Sequence, residues 1–161
     1  MMKLYIKQKV FSWGDKFTVY DENENVYFTV EGEVFTLGKK LHIYDSEGRE
    51  QAFVSQKLLS FLPRFFIFRN GTEVLEVKKE LTFFHKEYTV SPLGWKVSGD
   101  FFAHEYEIEN SEGRIAAISK KWFTWGDTYE IDIMKNVESV IVLSVVLVID
   151  AVLEMEQASN H

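Results

Sequence analysis

The stretch of sequence that decides the fold is VESVIVLSVVLVIDAVL, residues 137–153. A helix that is apolar on every side has no stripe for solvent and must be enclosed by other parts of the protein. If the helix runs from Val137 to Gln157, it is about 31 Å long, at 1.5 Å per residue. That length matches the inside of a barrel, so the stretch predicts a buried central helix.

Two other interpretations of this stretch stay open. Its many β-branched residues would suit a pair of strands, although 17 residues without a turn signal are long for one strand. A membrane-spanning helix needs about 20 predominantly apolar residues. The uncharged run from Ser139 to Ile149 has only 11, and Asp150, Glu154 and Glu156 follow it. The sequence therefore predicts no transmembrane span.

The preceding residues, from 3 to about 134, have the pattern of strands and tight turns. Segments such as KFTVY (16–20) and TEVLEV (72–77) alternate apolar with polar residues, which directs one face inward and the other to water. Asn70-Gly71 is the strongest turn signal, because both residues tolerate the positive φ of a two-residue hairpin. Strands that recur every 8–12 residues or so indicate an antiparallel sandwich or barrel. We expect one domain over residues 1–161.

The sequence also repeats itself. Residues 43–68 resemble residues 108–131, and both contain the turn Ser-Glu-Gly-Arg. A shorter pattern of lysine, any residue, an apolar residue, Ser or Thr, and an aromatic residue occurs at Lys9–Trp13, Lys57–Phe61, Lys79–Phe83 and Lys121–Trp125. This repetition favours a structural corner over a ligand site. We expect the aromatic residue to plug the rim of the barrel where the chain reverses.

Several short motifs together resemble the LURP-one-related family, which is grouped with the tubby C-terminal domain and the phospholipid scramblases. They are Ile43-x-Asp45-x-x-Gly48, Lys57 with residues 58–68, Lys79 with its aromatic strand, and VLVIDAV around Asp150. The likeness covers nearly the whole chain. It implies a mostly β fold, a closed antiparallel barrel of about 12 strands around the C-terminal helix. It also implies phosphoinositide headgroups or membranes as partners, since tubby-like domains bind the former and scramblases act at the latter.

Composition narrows the classes of function. The chain has no cysteine, which excludes disulfides and thiolate sites. The net charge of −7 argues against nucleic acid as a partner. The charge is uneven, because residues 1–80 hold 12 basic and 12 acidic residues, whereas residues 81–161 hold 6 and 13. The first residues lack the apolar core of a signal peptide, so we expect a cytoplasmic protein, with peripheral attachment to a membrane as a further option.

One basic constellation is a candidate site for an anionic headgroup. Arg64 and Arg69 precede the Asn70-Gly71 turn, while Lys78 and Lys79 follow it, so antiparallel pairing would bring the two strands together. Arginine offers a forked donor to phosphate and lysine adds a point charge. Lys57 or Lys121 would join from neighbouring corners. The alternative is a charged hairpin that only keeps a sheet edge soluble.

The remaining motifs predict no catalytic or metal chemistry and no cofactor. The segment from Gly32 to Lys40 has the wrong glycine spacing for a phosphate-binding P-loop and lies in strand-like sequence. Each histidine (His42, His85, His104 and His161) lacks a second histidine at metal-ligand spacing. Weak divalent binding by the carboxylates Asp127, Glu130 and Asp132 is a minor alternative to a solvated strand face.

The sequence therefore predicts a binding module that is not an enzyme and that recognises acidic phospholipid at the basic constellation. The alternative is a structural or protein-interaction module without a small ligand. Lipid binding predicts salt-sensitive attachment to acidic vesicles that charge reversal at Lys78 and Lys79 weakens. A protein partner predicts an exposed apolar patch.

Overall fold

The structure is a computed structural model that describes residues 2–7, 16–81, 85–123, 126–134 and 136–159, with backbone alone at residues 122, 123, 126 and 127. Twelve strands precede one helix. They are β1 (Met2–Lys7), β2 (Lys16–Tyr20), β3 (Val26–Gly32), β4 (Lys40–Asp45), β5 (Glu50–Gln56), β6 (Arg64–Arg69), β7 (Thr72–Leu81), β8 (Lys86–Ser91), β9 (Trp95–Asp100), β10 (Glu105–Asn110), β11 (Gly113–Phe123) and β12 (Gly126–Ile133), followed by α1 (Ser139–Ser159).

The strands form a closed antiparallel barrel of simple topology. Each strand pairs with the next one along the chain, and β12 closes the barrel on β1 through a register from Met2↔Ile133 to Lys7↔Thr128. Closure leaves no sheet edge without a partner strand. The predicted mostly β fold, with about 12 antiparallel strands around a C-terminal helix, is confirmed.

Helix α1 fills the barrel as the apolar run predicts. Val140, residues 142–149 and residues 151–153 are all buried, so almost every side of the helix contacts the barrel wall. Ser144 is the polar exception within this run, and its hydroxyl donates a hydrogen bond of 2.7 Å to the carbonyl of Val140. The helix begins at Ser139 and ends at Ser159, two residues later at each end than the sequence suggests.

Along the strands of the barrel wall, side chains alternate between the interior and solvent, as the sequence pattern predicts. In β7, Leu75, Val77 and Lys79 are buried, and in β6 Phe65 and Ile67 are buried opposite them. The Asn70-Gly71 hairpin joins these strands, with φ values of 50° and 77°, as the turn signal predicts. The two Ser-Glu-Gly-Arg segments join β4 to β5 and β10 to β11, six strands apart, so the internal repeat corresponds to half of the barrel.

The two ends of the barrel differ because successive connections alternate between them. The turn end lies at the start of α1 and consists of tight turns at residues 21–25, 46–49, 70–71, 92–94 and 111–112. The loop end lies at the last turns of α1, and its described connections include residues 33–39, 57–63 and 101–104. Ion pairs between wall and helix agree with this orientation, since Arg69 contacts Glu138 and Lys79 contacts Glu156.

The aromatic residues of the corner motif do not plug the rim where the structure describes one. Phe61, in the copy at Lys57–Phe61, is 99% exposed, so that prediction is wrong at this corner. The physical reason is that residues 57–63 form a loop that projects from the barrel, so Phe61 stays in solvent and does not fold over the rim. The aromatic residues Trp13, Phe83 and Trp125 of the other three copies lie outside the described residues.

Gly99 in β9 allows an unusually close approach of β10, and its loss is expected to destabilise the protein. A Cβ there would lie 2.6 Å from the Glu105 carbonyl oxygen and from the Tyr106 Cα, at a φ of +139°. Gly113 is a matched control, because its φ is +137° and a Cβ there meets nothing within 4 Å. Gly113→Ala should cost only the backbone strain of about 1–3 kcal/mol. Gly99→Ala should cost a further ~1–3 kcal/mol for the clash, measured by urea unfolding. Equal losses in the two variants would contradict this account.

Candidate functional site at the loop end

Exposed apolar side chains concentrate at the loop end. Of the eleven large apolar side chains that are exposed among the described residues, eight lie there. We call them the apolar rim, and they are Val34, Phe35, Leu37, Leu58, Leu59, Phe61, Leu81 and Phe102. Phe35 and Leu59 are 105% and 106% exposed, respectively, so their side chains make no appreciable contact with the barrel. A concentration of exposed apolar side chains at one end of a protein marks an interaction site.

Two neighbouring loops carry most of the apolar rim and pack against each other. Leu58 Cδ2 lies 2.8 Å from the position that a Cβ on Gly38 would take, and the φ of +78° at Gly38 favours glycine there. Gln56 fastens the same pair of loops, since its side-chain oxygen accepts the N–H of Lys39 at 3.0 Å and its own N–H donates to the Lys39 carbonyl. These contacts hold the loop bases together while the tips project into solvent.

The charges of the two ends are opposite in balance. Among the described residues of the connections and the strand residue on each side of them, the turn end holds eight carboxylates and two arginines. The loop end, with the last turns of α1, holds seven cations and five carboxylates, two of the latter being Glu154 and Glu156. Among these residues the turn end is therefore acidic, and the apolar rim stands in weakly cationic surroundings.

Three of the five predicted basic residues come together beside the apolar rim. The N–H of Lys57 donates to the carbonyl of Arg64 at 2.8 Å, and Arg64 is the cross-strand partner of Lys78. Two neighbouring carboxylates, Glu76 and Glu80, partly neutralise the positive charge of Arg64 and Lys78. Arg64 Nε lies 3.0 Å from Glu76 Oε1, and Lys78 Nζ lies 3.9 Å from Glu80 Oε1.

The other two predicted residues lie elsewhere. Arg69 is at the turn end, where its Nη1 lies 2.6 Å from Glu138 Oε2. Lys79 faces the barrel interior, is 5% exposed, and forms an ion pair with Glu156 of α1. The five side chains therefore do not share one surface.

A pocket opens at the loop end between the barrel wall and the last turns of α1. This mouth pocket has a volume of about 560 Å³, which is within the range of small-molecule sites. Its apolar lining comes from Tyr88, Phe101, Phe102 and Leu153, and its charged lining includes Lys79, Lys86 and Glu156. Burial and the neighbouring charge of Lys86 lower the pKa of Lys79.

His104, Tyr129 and Asp150 form a buried polar cluster, in which the facing atoms His104 Nδ1 and Asp150 Oδ1 are inaccessible to solvent although the His104 and Asp150 side chains are 20% and 19% exposed. His104 Nδ1 lies 3.7 Å from Asp150 Oδ1, and His104 Nε2 lies 3.2 Å from the Tyr129 hydroxyl. Burial, with a smaller effect of Glu154, raises the pKa of Asp150 to about 7. Burial lowers the pKa of His104. Both groups are therefore driven toward their neutral forms.

The sequence analysis predicted neither the mouth pocket nor the buried polar cluster. His104 has no sequence neighbour that signals its role, and it meets Asp150 only because α1 threads the barrel. Lys79 carried a readable signal, since it continues the inward alternation of Leu75 and Val77. Of the predicted carboxylates, Glu130 lies 3.7 Å from Lys3 Nζ, and the side chain of Asp127 lies outside the described residues.

Comparison with known proteins identifies the family. The model of the LURP-one-related family matches residues 2–150. The chain belongs to the LURP-one-related family. The uncharacterized protein YxjI of Bacillus subtilis (strain 168) is 39% identical to this LURP-one-related chain over 153 residues, which cover 95% of this chain and 94% of YxjI. An X-ray structure of a protein from Arabidopsis thaliana has the same fold, with a TM-score of 0.69 at 19% identity over 94% of this chain and 90% of that one.

The family match and YxjI indicate no catalytic activity and no ligand. Within the described residues, no helix combines the length and the apolar character that crossing a bilayer requires. The geometry of the loop end is therefore the main guide to function.

Proposed function

We propose that this chain is a non-enzymatic module that docks loop end first on membranes containing acidic phospholipid. The observation that carries the proposal is the apolar rim, which projects fully exposed aromatic and aliphatic side chains from one end of the barrel. Lys57, Arg64 and Lys78 adjoin the rim at the level where headgroups would lie. The carboxylates of the turn end would point away from the membrane.

The apolar rim and the three cations would make different contributions to the free energy of membrane binding. Full burial of a Phe or Leu side chain contributes about 1.5–3 kcal/mol, so three rim residues would supply most of the affinity. Each lysine or arginine near an acidic surface contributes about 1 kcal/mol, which would select acidic over neutral lipid. Because Glu76 and Glu80 lie next to Arg64 and Lys78, the cationic contribution is the smaller one.

The test of the rim is vesicle co-sedimentation with phosphatidylcholine alone and with added phosphatidylserine or phosphoinositide. The triple variant Phe35→Ser, Leu59→Ser, Phe61→Ser should bind at least ~100-fold more weakly, from the burial energies given above. Its matched control is Val26→Ser, Leu93→Ser, Met134→Ser, which removes exposed apolar side chains at the turn end. Equal binding by the two triple variants would exclude the rim as the contact surface.

The test of the cations uses salt and charge reversal. Binding to acidic vesicles should weaken between low and physiological salt, since exposed charges are screened. Lys57→Glu with Lys78→Glu should weaken it further, by roughly tenfold or more. Lys79 is unsuitable for this test because its side chain faces the interior. Binding that is the same on neutral and acidic vesicles at every salt concentration would overturn the preference for acidic lipid.

A protein partner is the second candidate, because an exposed apolar surface also suits protein association. The separation of the rim over several loop tips favours a deformable lipid surface over a rigid partner. A failure to bind any vesicle, with the barrel folded, would decide for the protein partner.

A further inference from the structure

The mouth pocket contains a buried lysine whose ammonium group is stabilised by an anion. The side chain of Lys79 is 6% exposed, and its partner is the carboxylate of Glu156, which also lines the pocket. A buried charge that loses its partner is strongly destabilising, whereas one that keeps an anion beside it is tolerated. An anion beside Lys79 therefore stabilises its charged form, and nothing in the chemistry requires that anion to come from Glu156.

Glu156 is well placed to give up this position. It lies in the last turn of α1, at the loop end, and its side chain is already 27% exposed. Rotation toward water would restore the hydration of its carboxylate without moving the barrel wall. The backbone of Lys79, by contrast, is held in place by β7, in which Val77 and Leu75 pack in the core. The pair therefore joins a fixed cation to a displaceable anion.

The rest of the pocket suits a ligand with one anionic group and an apolar body. Lys86 lies close enough to Lys79 to lower its pKa, and no ion pair joins Lys86 to a carboxylate in the described part of the chain. Phe101, Phe102 and Leu153 supply apolar walls beside these two cations. Asp100 also lines the pocket and disfavours ligands with a second anionic group.

We propose that the mouth pocket binds a singly headed anionic amphiphile, a carboxylate or phosphate monoester on an apolar tail, which replaces Glu156 on Lys79. The tail would contact Phe101, Phe102 and Leu153. The binding site does not depend on the proposed membrane docking, because a dissolved amphiphile can enter it without a bilayer.

The test is calorimetric titration with decanoate and with octyl phosphate below their micelle concentrations. Decanol serves as the tail without charge, and inorganic phosphate as the charge without a tail. Decanoate and octyl phosphate should both bind at least tenfold more tightly than decanol or phosphate. If only one binds, the headgroup is specified as carboxylate or as phosphate. Binding of decanol as tight as that of decanoate would overturn the proposal.

Substitutions on the helix separate displacement from nonspecific attraction. Glu156→Gln removes the resident carboxylate and should raise the affinity for both anions at least tenfold. Glu154→Gln is the matched control, since Glu154 lies on the same helix and end but is paired with Lys39 at 3.4 Å. Equal effects of the two substitutions would contradict displacement at Lys79.

Substitutions of the cations complete the test. Lys79→Met should abolish anion binding, while Lys39→Met should leave it unchanged. Circular dichroism verifies that each variant is folded, and Lys86→Met provides a second, exposed substitution that should weaken anion binding several-fold. Retained affinity in both Lys79→Met and Lys86→Met would exclude the site. If the titrations show no amphiphile binding but the protein still binds vesicles, the pocket proposal is wrong and the membrane proposal is unaffected. If the amphiphiles bind but vesicles do not, the membrane proposal is wrong and the pocket proposal is unaffected.

Discussion

Leu143→Ala is expected to lower the free energy of unfolding by about 2–5 kcal/mol, the range for a leucine truncated in a well-packed core. Leu143 is 0% exposed and lies in the part of α1 that the barrel encloses. Because the closed wall surrounds the helix, the surrounding strands cannot collapse far into the cavity, so we expect the upper half of this range. In a chain of this length each kcal/mol lowers the midpoint temperature by ~2–4 °C, which thermal and urea unfolding will measure.

Leu59→Ala is the matched control, because it removes the same atoms from a side chain that is 106% exposed. Its free energy of unfolding should change by less than about 0.5 kcal/mol. In vesicle binding the order of the two effects should be reversed. Leu59→Ala should weaken attachment, whereas folded Leu143→Ala should not. A small loss at Leu143 would mean that α1 is not an integral part of the core.

Much of the fold was predictable because its main features depend on residues that are close together in the sequence. An apolar run without a polar stripe has to be enclosed, whichever protein contains it, and residues 140–153 follow that rule. Asn70-Gly71 and the alternation in β7 likewise depend on neighbours in sequence. The number of strands and the closure of the barrel came instead from the family resemblance, since periodicity does not distinguish a barrel from a sandwich.

The basic site was harder to predict because it depends on which face of a strand each residue occupies. Lys78 and Lys79 are adjacent, so only one of them can face solvent, and Lys79 shares its inward side with Val77. Arg69 lies five residues from Arg64 along β6, which puts the two at opposite ends of the barrel. Counting residue types near a hairpin therefore overestimates how many charges converge.

The ion pairs with α1 depend on how far the helix is inserted, which no local pattern encodes. Glu156 meets Lys79 across 77 positions of sequence. Asp150 meets His104 in the same way. The apolar rim, by contrast, could have been found from sequence, because alternate connections of an antiparallel barrel share one end and the segments at 33–39 and 57–63 are rich in Phe and Leu.

Asp150→Asn is expected to stabilise the protein at and above pH 7 and to have little effect near pH 4. Burial raises the pKa of Asp150 to about 7, so between about pH 4 and 7 the folded state holds a proton that the unfolded state has released. Stability is then lost as pH rises through this window, at about 1.4 kcal/mol per pH unit, and the full loss is about 4 kcal/mol. Asparagine has no charge to bury, so the variant escapes this loss.

The measurement is urea unfolding of both proteins from pH 4.5 to 8.5, with the difference between them as the quantity of interest. Burial lowers the pKa of His104, so both proteins lose stability as pH falls below about 6.5. Because His104 lies 3.7 Å from Asp150, the difference between the two proteins is least affected by His104 at about pH 7.5 and above. Asp45→Asn should show the opposite sign, because hydrogen bonds from the backbone of Arg49 lower the pKa of Asp45 and favour its ionised form. That variant should be less stable than the unaltered protein at neutral pH and approach it in acid. A pH-independent effect of Asp150→Asn would show that Asp150 is already ionised at little cost, and that the buried polar cluster is open to water.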